Sequence, residues 1–402
     1  MIIYLLLTLV TIGLAFNIRK VAPVESGKYV YIYKGISRQQ VLNIISMVSI
    51  FIMLFAVSAF RLNVGNDYAK YTNFMHLIYS NAYVPTEVGF NILVWVLYFM
   101  SGYENYILVF AVFAFITIVL FLYAMNDLSE SFRWTFLMFM LLTYYFQSLS
   151  TVRYYLALGA ALLSITCIKR GDWPRFVFAV LLGACFHKSL LVILVLYPIC
   201  CIKWKRWMIM TAGIMCLSFL FLKDYYLKLL LIVYPSYQDT DMLEGGTSLI
   251  SIVRCIAVLA FVVISQGDIK ALLKEGITGL GSNDMISGER QTVRNVYDRM
   301  NSFYIKCNIL ALLLYIFCSF IPVISRIGYY LTVTQILLVP ALLERTEDET
   351  KKKLYKLIVL ISCLLYFLVF MWKMAPSDGV RILPYETFLF NDMVPLEYQI
   401  LD

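Results

Sequence analysis

The chain has 402 residues, 61% of them hydrophobic and 14% charged, against about 25% charged in an ordinary soluble domain, and a mean hydropathy of +0.80 excludes a conventional water-soluble globule. The net charge of +8 does not imply a nucleic-acid partner, because the Lys and Arg residues sit in short clusters between apolar runs, as they do in cytoplasmic loops. Nine cysteines, mostly inside those runs, and only two histidines support neither a disulfide framework nor a structural zinc site.

Water is absent from a bilayer core, so a spanning backbone must satisfy itself as helices or closed barrels. Long apolar runs without alternation select helices, and the fold class is all-α, a polytopic integral membrane protein forming one membrane domain over 1–402. The first run, "IIYLLLTLVTIGLAF", lacks a basic leader and a small-residue cleavage site, and is expected to be a retained helix rather than a signal peptide. Apolar helices follow near 41–60, 105–125, 134–149, 152–168, 206–222, 248–264, 303–321, 326–343 and 354–372, the first lying near 2–16. Two stretches are ambiguous: 89–100 is short for a crossing, and 175–202 is long but interrupted by "HKS".

Basic clusters orient the chain. Arg19, Lys20, Lys28, Lys34 and Arg38 place the loop after the first helix in the cytoplasm and the N-terminus outside. The segment 61–88, one crossing later, is then an external loop. If 89–100 dips without crossing and 175–202 makes two short passes, "KRGDWPR" (169–175), "KWKR" (203–206) and the basic loop 265–302 all fall inside. The tail 373–402, richer in acidic than in basic residues, falls outside. The count is about twelve crossings with a broken or re-entrant segment.

This topology gathers the polar insertions on one face. "RLNVGNDYAKY" (61–71), "TEVGF" (86–90), "QSLSTVRYY" (147–155), "FHKS" (186–189) and "ISRIGYY" (324–330) all become external, and only "HKS" entered the choice of topology. Arg61 can be read as a snorkelling residue at a helix end. Arg153 and Arg326 lie between apolar runs, and ionisable residues at membrane depth tend to face interior cavities. Three arginines on one face suggest an anionic head group, because guanidinium pairs bidentately with phosphate oxygens. Asp67 and Glu87 offer carboxylates for a general base, or partners for Arg61 or Lys70. His187 and Lys188 share the tip of an apolar hairpin, where packing and functional readings are equally open. His76 reads as structural. Most of the 30 Tyr and 28 Phe suit interfacial belts, and some can line a saccharide path.

Taken in order, "RLNVGNDY", "EVGF", "VRYYLA", "FHKSL" and "SRIGYY" resemble the motif series of the EpsG family of Wzy-like bacterial polysaccharide polymerases, over about 61–340. Each motif is weak alone; the ordered set is fairly specific. The resemblance implies a GT-C-like glycosyltransferase of the bacterial inner (cytoplasmic) membrane, distantly similar to O-antigen polymerases and ligases and acting in capsule or exopolysaccharide synthesis. Such an enzyme transfers a growing glycan from its undecaprenyl diphosphate carrier to a sugar hydroxyl of an incoming lipid-linked unit at the external face, without a nucleotide sugar or cofactor. Matching positions are Arg61, Gly65, Asp67, Tyr68, Glu87, Gly89, Arg153, His187, Ser189 and Arg326. The family's "NxxRQ" reads "STVRY" here, with Ser150 and Tyr154 in place of its amides, and its "EPGF" carries Val88 for proline.

On this reading Arg153 and Arg326, with Lys188, hold the diphosphate, Arg61, Tyr68 and Ser189 add carrier or glycan contacts, and Asp67 before Glu87, or else His187, is the base. Direct displacement implies inversion, and no metal is expected. A chain-length regulator, a flippase and membrane lipid are the implied partners. The alternative class is a flippase of the lipid-linked oligosaccharide, expected to spread charge through the depth of a central cavity. A membrane acyltransferase would need its histidine to face the cytoplasm, and charge topology puts His187 on the other side.

Overall fold

The computed structural model describes residues 1–20, 31–33, 36–233, 249–266, 289–319, 321 and 324–391. They fall into two compact units: Met1–Leu163 with Leu182–Lys188 and Glu347–Asp402, and Ser164–Leu181 with Ser189–Thr346. Apart from one two-stranded hairpin, β1 (Tyr31–Tyr33) with β2 (Ile36–Ser37), the described secondary structure is helical.

In the first unit, α1 (Ile2–Asn17), α2 (Arg38–Ala59), α5 (Tyr106–Leu128), α6 (Phe132–Leu141) and α17 (Glu349–Val369) follow the apolar runs. Their ends are set by caps. Ser37 and Gln40 form a reciprocal capping box at α2, Asn105 accepts from the Leu108 amide at α5, and Asp348 accepts from the Thr350 and Lys351 amides at α17. Each cap occupies donors that a helix start leaves without partners. Helix α1 packs on α2 and α6, α2 on α5, and α6 on α17.

Helix α3 (Tyr68–Tyr79) forms inside the stretch expected to be a loop. Its Tyr68, Tyr71, Thr72 and Met75 are buried, an i, i+3, i+4, i+7 stripe, and it packs on α4 (Val88–Ser101). Together with Phe90, Val94, Phe110, Phe113, Val152 and Leu156 the stripe builds an apolar cluster under the polar loops.

The run expected as one helix over 134–149 is broken. Thr143 adopts a left-handed conformation (φ 65) between α6 and the short α7 (Tyr144–Ser148). The Gln147 side-chain amide donates to the Thr143 hydroxyl at 2.8 Å, and both helices are buried in protein, where broken backbone is tolerated at membrane depth. Helix α8 (Val152–Lys169) follows.

The stretch 175–202 is divided as its "HKS" suggests: α9 (Trp173–Ala184), a turn, a 3₁₀ segment (Lys188–Val192) and α10 (Ile193–Cys201). In the second unit α11 (Arg206–Phe221) packs on α12 (Lys223–Val233) and α14 (Glu289–Phe317). Helix α14 also packs on α13 (Leu249–Gln266), α15 (Ile324–Thr332) and α16 (Gln335–Arg345). Of the basic loop expected over 265–302, residues 267–288 lie outside the described residues, and 289–302 belong to α14.

Among the described residues six helical stretches are long and apolar enough to cross a bilayer: Arg38–Ala59, Tyr106–Leu128, Val152–Lys169, Asp298–Phe317, Ile324–Arg345 and Glu349–Met374. The shorter apolar helices have 10–17 residues and reach about 15–26 Å, short of a hydrocarbon core roughly 30 Å thick.

Candidate functional site

The loop after α2 is locked on two sides. Asn63 and Gly65 take positive φ (55 and 109), and a Cβ on Gly65 would lie 2.4 Å from the Leu149 carbonyl oxygen, so only glycine fits. The Ser150 hydroxyl bonds the Asn66 side chain, which seats the loop on the turn before α8. Over its other side runs the tail that follows α17. The Gly65 amide donates to the Arg381 carbonyl at 2.8 Å, Asn66 to Val380 at 3.1 Å, Leu62 to Glu386 at 3.0 Å and Phe388 to Phe60 at 3.2 Å. Arg61 and Thr387 form an antiparallel bridge, and the Asn66 side-chain amide donates to Gly379 at 2.8 Å.

Three motifs distant in sequence meet at Arg153. Its Nη1 donates to Glu87 Oε2 in an ion pair whose side chains are 15% and 17% exposed. The other Glu87 oxygen accepts from the Lys188 backbone amide at 3.2 Å. The guanidinium carbon stands 5.4 Å from the Tyr71 ring centre and 5.3 Å from that of Phe90, within cation–π range of both. Its Nε is buried without a hydrogen-bond partner among the described residues. Gly89 permits this assembly: its amide donates to the Cys185 carbonyl at 2.8 Å, and a Cβ there would lie 2.7 Å from that oxygen. The tip of the hairpin docks by aromatic edges, His187 on Tyr154 at 5.4 Å and Phe186 on Phe113 at 5.8 Å.

Asp67 precedes the first residue of α3. Burial raises the Tyr71 phenol above its ordinary pKa and the Asp67 charge raises it further, while Arg153 opposes both. Asp67, Tyr71, Arg153, Glu87, Lys188 and His187 therefore form one chain of neighbours in the first unit.

Arg61 lies deeper. It is 3% exposed, with its guanidinium 5.1 Å from the Phe110 ring centre, and burial lowers its pKa against the opposing influence of Tyr68, Tyr4, Tyr145 and Tyr385. A snorkelling side chain would hold its head group in water, so that reading fails. Tyr68 stacks on Phe110 at 4.5 Å, and burial raises its phenol pKa. Glu87 pairs with Arg153 rather than with Arg61 or Lys70. His76 pairs with Glu104 at 3.0 Å, in keeping with a structural role.

Ser189 and Arg326 belong to the second unit. The buried Ser189 hydroxyl bonds the Tyr330 hydroxyl at 2.9 Å, and Arg326 lies in the first turn of α15, partly buried. Two cations there escaped sequence reading. Lys306 of α14 is fully buried and donates to the carbonyl of Ile202, the residue that ends α10, at 2.9 Å. Arg254, inside α13, donates to the Thr332 hydroxyl at 3.0 Å and lies 5.3 Å from the Tyr329 ring centre. The signal was available, since an arginine within an apolar helix is conspicuous.

Apolar helices of spanning length and an arginine site supported by aromatic rings define a polytopic membrane protein with a preformed polar centre. The model of the EpsG family matches residues 44–387, and the chain belongs to that family, a family of Wzy-like polysaccharide polymerases. No curated protein and no solved structure matches the chain.

Proposed function

We propose that the protein is a glycosyltransferase that moves a growing glycan from undecaprenyl diphosphate onto the non-reducing-end hydroxyl of an incoming lipid-linked repeat unit. Family membership supports the polymerase class. The observation that carries the reading further is the convergence of three motifs on Arg153, whose partly buried guanidinium is held by Glu87, Tyr71 and Phe90. A cation prepositioned in this way suits the diphosphate, where negative charge grows as the glycosidic bond breaks, and stabilising developing charge is usually the largest catalytic term.

Both Glu87 oxygens are engaged, one by Arg153 and one by the Lys188 amide, so Glu87 acts as the group that orients Arg153. Asp67, close enough for its charge to act on Tyr71, takes the proton from the acceptor hydroxyl. The oxygen attacks the anomeric carbon, the bond to the diphosphate breaks with its electron pair, and the configuration inverts. No metal enters the proposed step. The charge pattern supports an external site, both termini outside, about twelve crossings with the shorter helices included, and an inner-membrane location.

The test is polymer formation from purified lipid-linked repeat units by the protein in detergent. A ladder of lengthening products is expected. Binding of the units without extension would reject the polymerase in favour of a flippase.

A further inference from the structure

We propose that Arg61 and Tyr68 hold a small inorganic anion of the chloride class in the interior of the first unit, as the counter-ion of a guanidinium that the fold encloses without a carboxylate. The inference does not depend on glycosyl transfer.

Arg61 is enclosed on every side by side chains from distant parts of the chain. Tyr4 of α1, Tyr68 of α3, Tyr145 of α7 and Tyr385 of the tail stand around it, and the Phe110 ring of α5 lies 5.1 Å away. These phenols act on its charge ahead of any carboxylate, and among the described residues no carboxylate stands within ion-pair distance of it. A guanidinium keeps its proton, so it cannot escape the cost of burial by becoming neutral, and an enclosed ion without an opposite charge is strongly disfavoured.

The phenols do not neutralise it. Three have their protons committed to backbone carbonyls: Tyr4 to Ile382 at 3.0 Å, Tyr145 to Leu54 at 2.8 Å and Tyr385 to Val57 at 3.0 Å. Tyr68 differs. It is 1% exposed, the Asn63 backbone amide beside its hydroxyl has only a proton to offer, and its own phenolic proton has no acceptor among the described residues. The Arg61 Nε proton has none either. Two buried donors beside an uncompensated positive charge call for an acceptor that is itself negative; water would occupy the donors and leave the charge unpaired. With Arg61 and Tyr68 both buried and the tail laid over the loop between them, the occupant is a small ion rather than a lipid head group or a sugar ring. It ties α1, α3, α7 and the tail around the loop that leads to Asp67.

The experiment follows thermal unfolding of the purified full chain in detergent while sodium gluconate is replaced by sodium chloride or sodium bromide at constant ionic strength, for wild type, Arg61→Gln and Tyr68→Phe. A ligand of the folded state raises Tm, and the wild-type Tm is expected to rise by about 2–4 °C and to saturate, in chloride and bromide alike. Tyr68→Phe keeps the ring stacked on Phe110 and removes one donor to the ion, so about tenfold more chloride is needed for the same rise. Arg61→Gln removes the charge and shows no rise. A wild-type Tm that is the same in gluconate and in chloride would overturn the proposal and assign the two donors to water. A full rise in folded Arg61→Gln would overturn it too, and if that variant does not fold, a Tyr68→Phe titration identical to wild type would do so.

Discussion

Arg153 and Glu87, 66 residues apart, form an ion pair in which the carboxylate's second oxygen is held by the backbone of Lys188. The pair joins α8, the start of α4 and the tip of a broken hairpin, so the cation's direction depends on three segments at once. If Glu87 orients Arg153, the two substitutions share one effect. Arg153→Ala and Glu87→Ala should each abolish most polymerisation. The double variant should be little worse than either, with a coupling of about 1–3 kcal/mol. Glu87→Gln, which keeps an acceptor, should retain measurable kcat. Steady-state rates on purified lipid-linked units would check this, and additive losses would reject the orienting role.

The glycines of the two polar loops serve close approach. Gly89→Ala meets the Cys185 carbonyl at 2.7 Å, and steric crowding of this kind costs about 1–3 kcal/mol. Gly13, inside α1 with open space around its Cβ, should tolerate alanine or gain up to about 1 kcal/mol. Thermal unfolding should come at a lower temperature in Gly89→Ala and at an unchanged or higher one in Gly13→Ala.

The tail after α17 braces the loop 60–66 through its backbone. Ending the chain at Ala375 should leave the helices folded. The amides of Leu62, Gly65 and Asn66, which donate to tail carbonyls, should then exchange with solvent far faster, and polymerisation should fall. Hydrogen exchange resolved to these peptides, beside α5 as an internal reference, measures the effect.

Asp67 and His187 are separated by their own substitutions. General-base catalysis contributes about 10²–10⁴-fold, so Asp67→Asn should lower kcat by that order with KM little changed. His187→Gln should lose the aromatic contact with Tyr154 and remain active within a few-fold. The reverse ranking would transfer the base to His187.

Catalysis by arginine rather than by a metal implies that excess chelator leaves the rate unchanged. Loss of activity in chelator and its recovery on adding Mg²⁺ would contradict the proposed step.

Much of this organisation was legible in the sequence because apolar helices carry their signal locally. Each of the ten apolar runs has a helix in it, and the interruption at "HKS" became a real break between α9 and α10. Helix α3 was not recognised because three of the four residues of its buried face are two tyrosines and a threonine, with Met75 the fourth, and these read as loop polarity until the 3.6-residue spacing is considered. The break at Thr143 was invisible because nothing in "LLTYYF" forbids a helix; tertiary burial and the Gln147 side chain stabilise it. At the candidate site, residue types and order were readable, and the chemistry of pairing was not. Glu87 was equally compatible with Arg61, Lys70 or a catalytic role until the fold brought α4 against α8. Arg61 looked like an interfacial cation because its enclosing tyrosines come from 4, 68, 145 and 385, positions that only the folded chain brings together.

The most direct test of the central claim is a comparison of glycan extension by wild type and Arg153→Ala, both purified, equally stable, and supplied with the same lipid-linked repeat units. The account predicts a ladder of polymer from wild type and unextended repeat units from the variant. A variant that extends the glycan at the wild-type rate would contradict it.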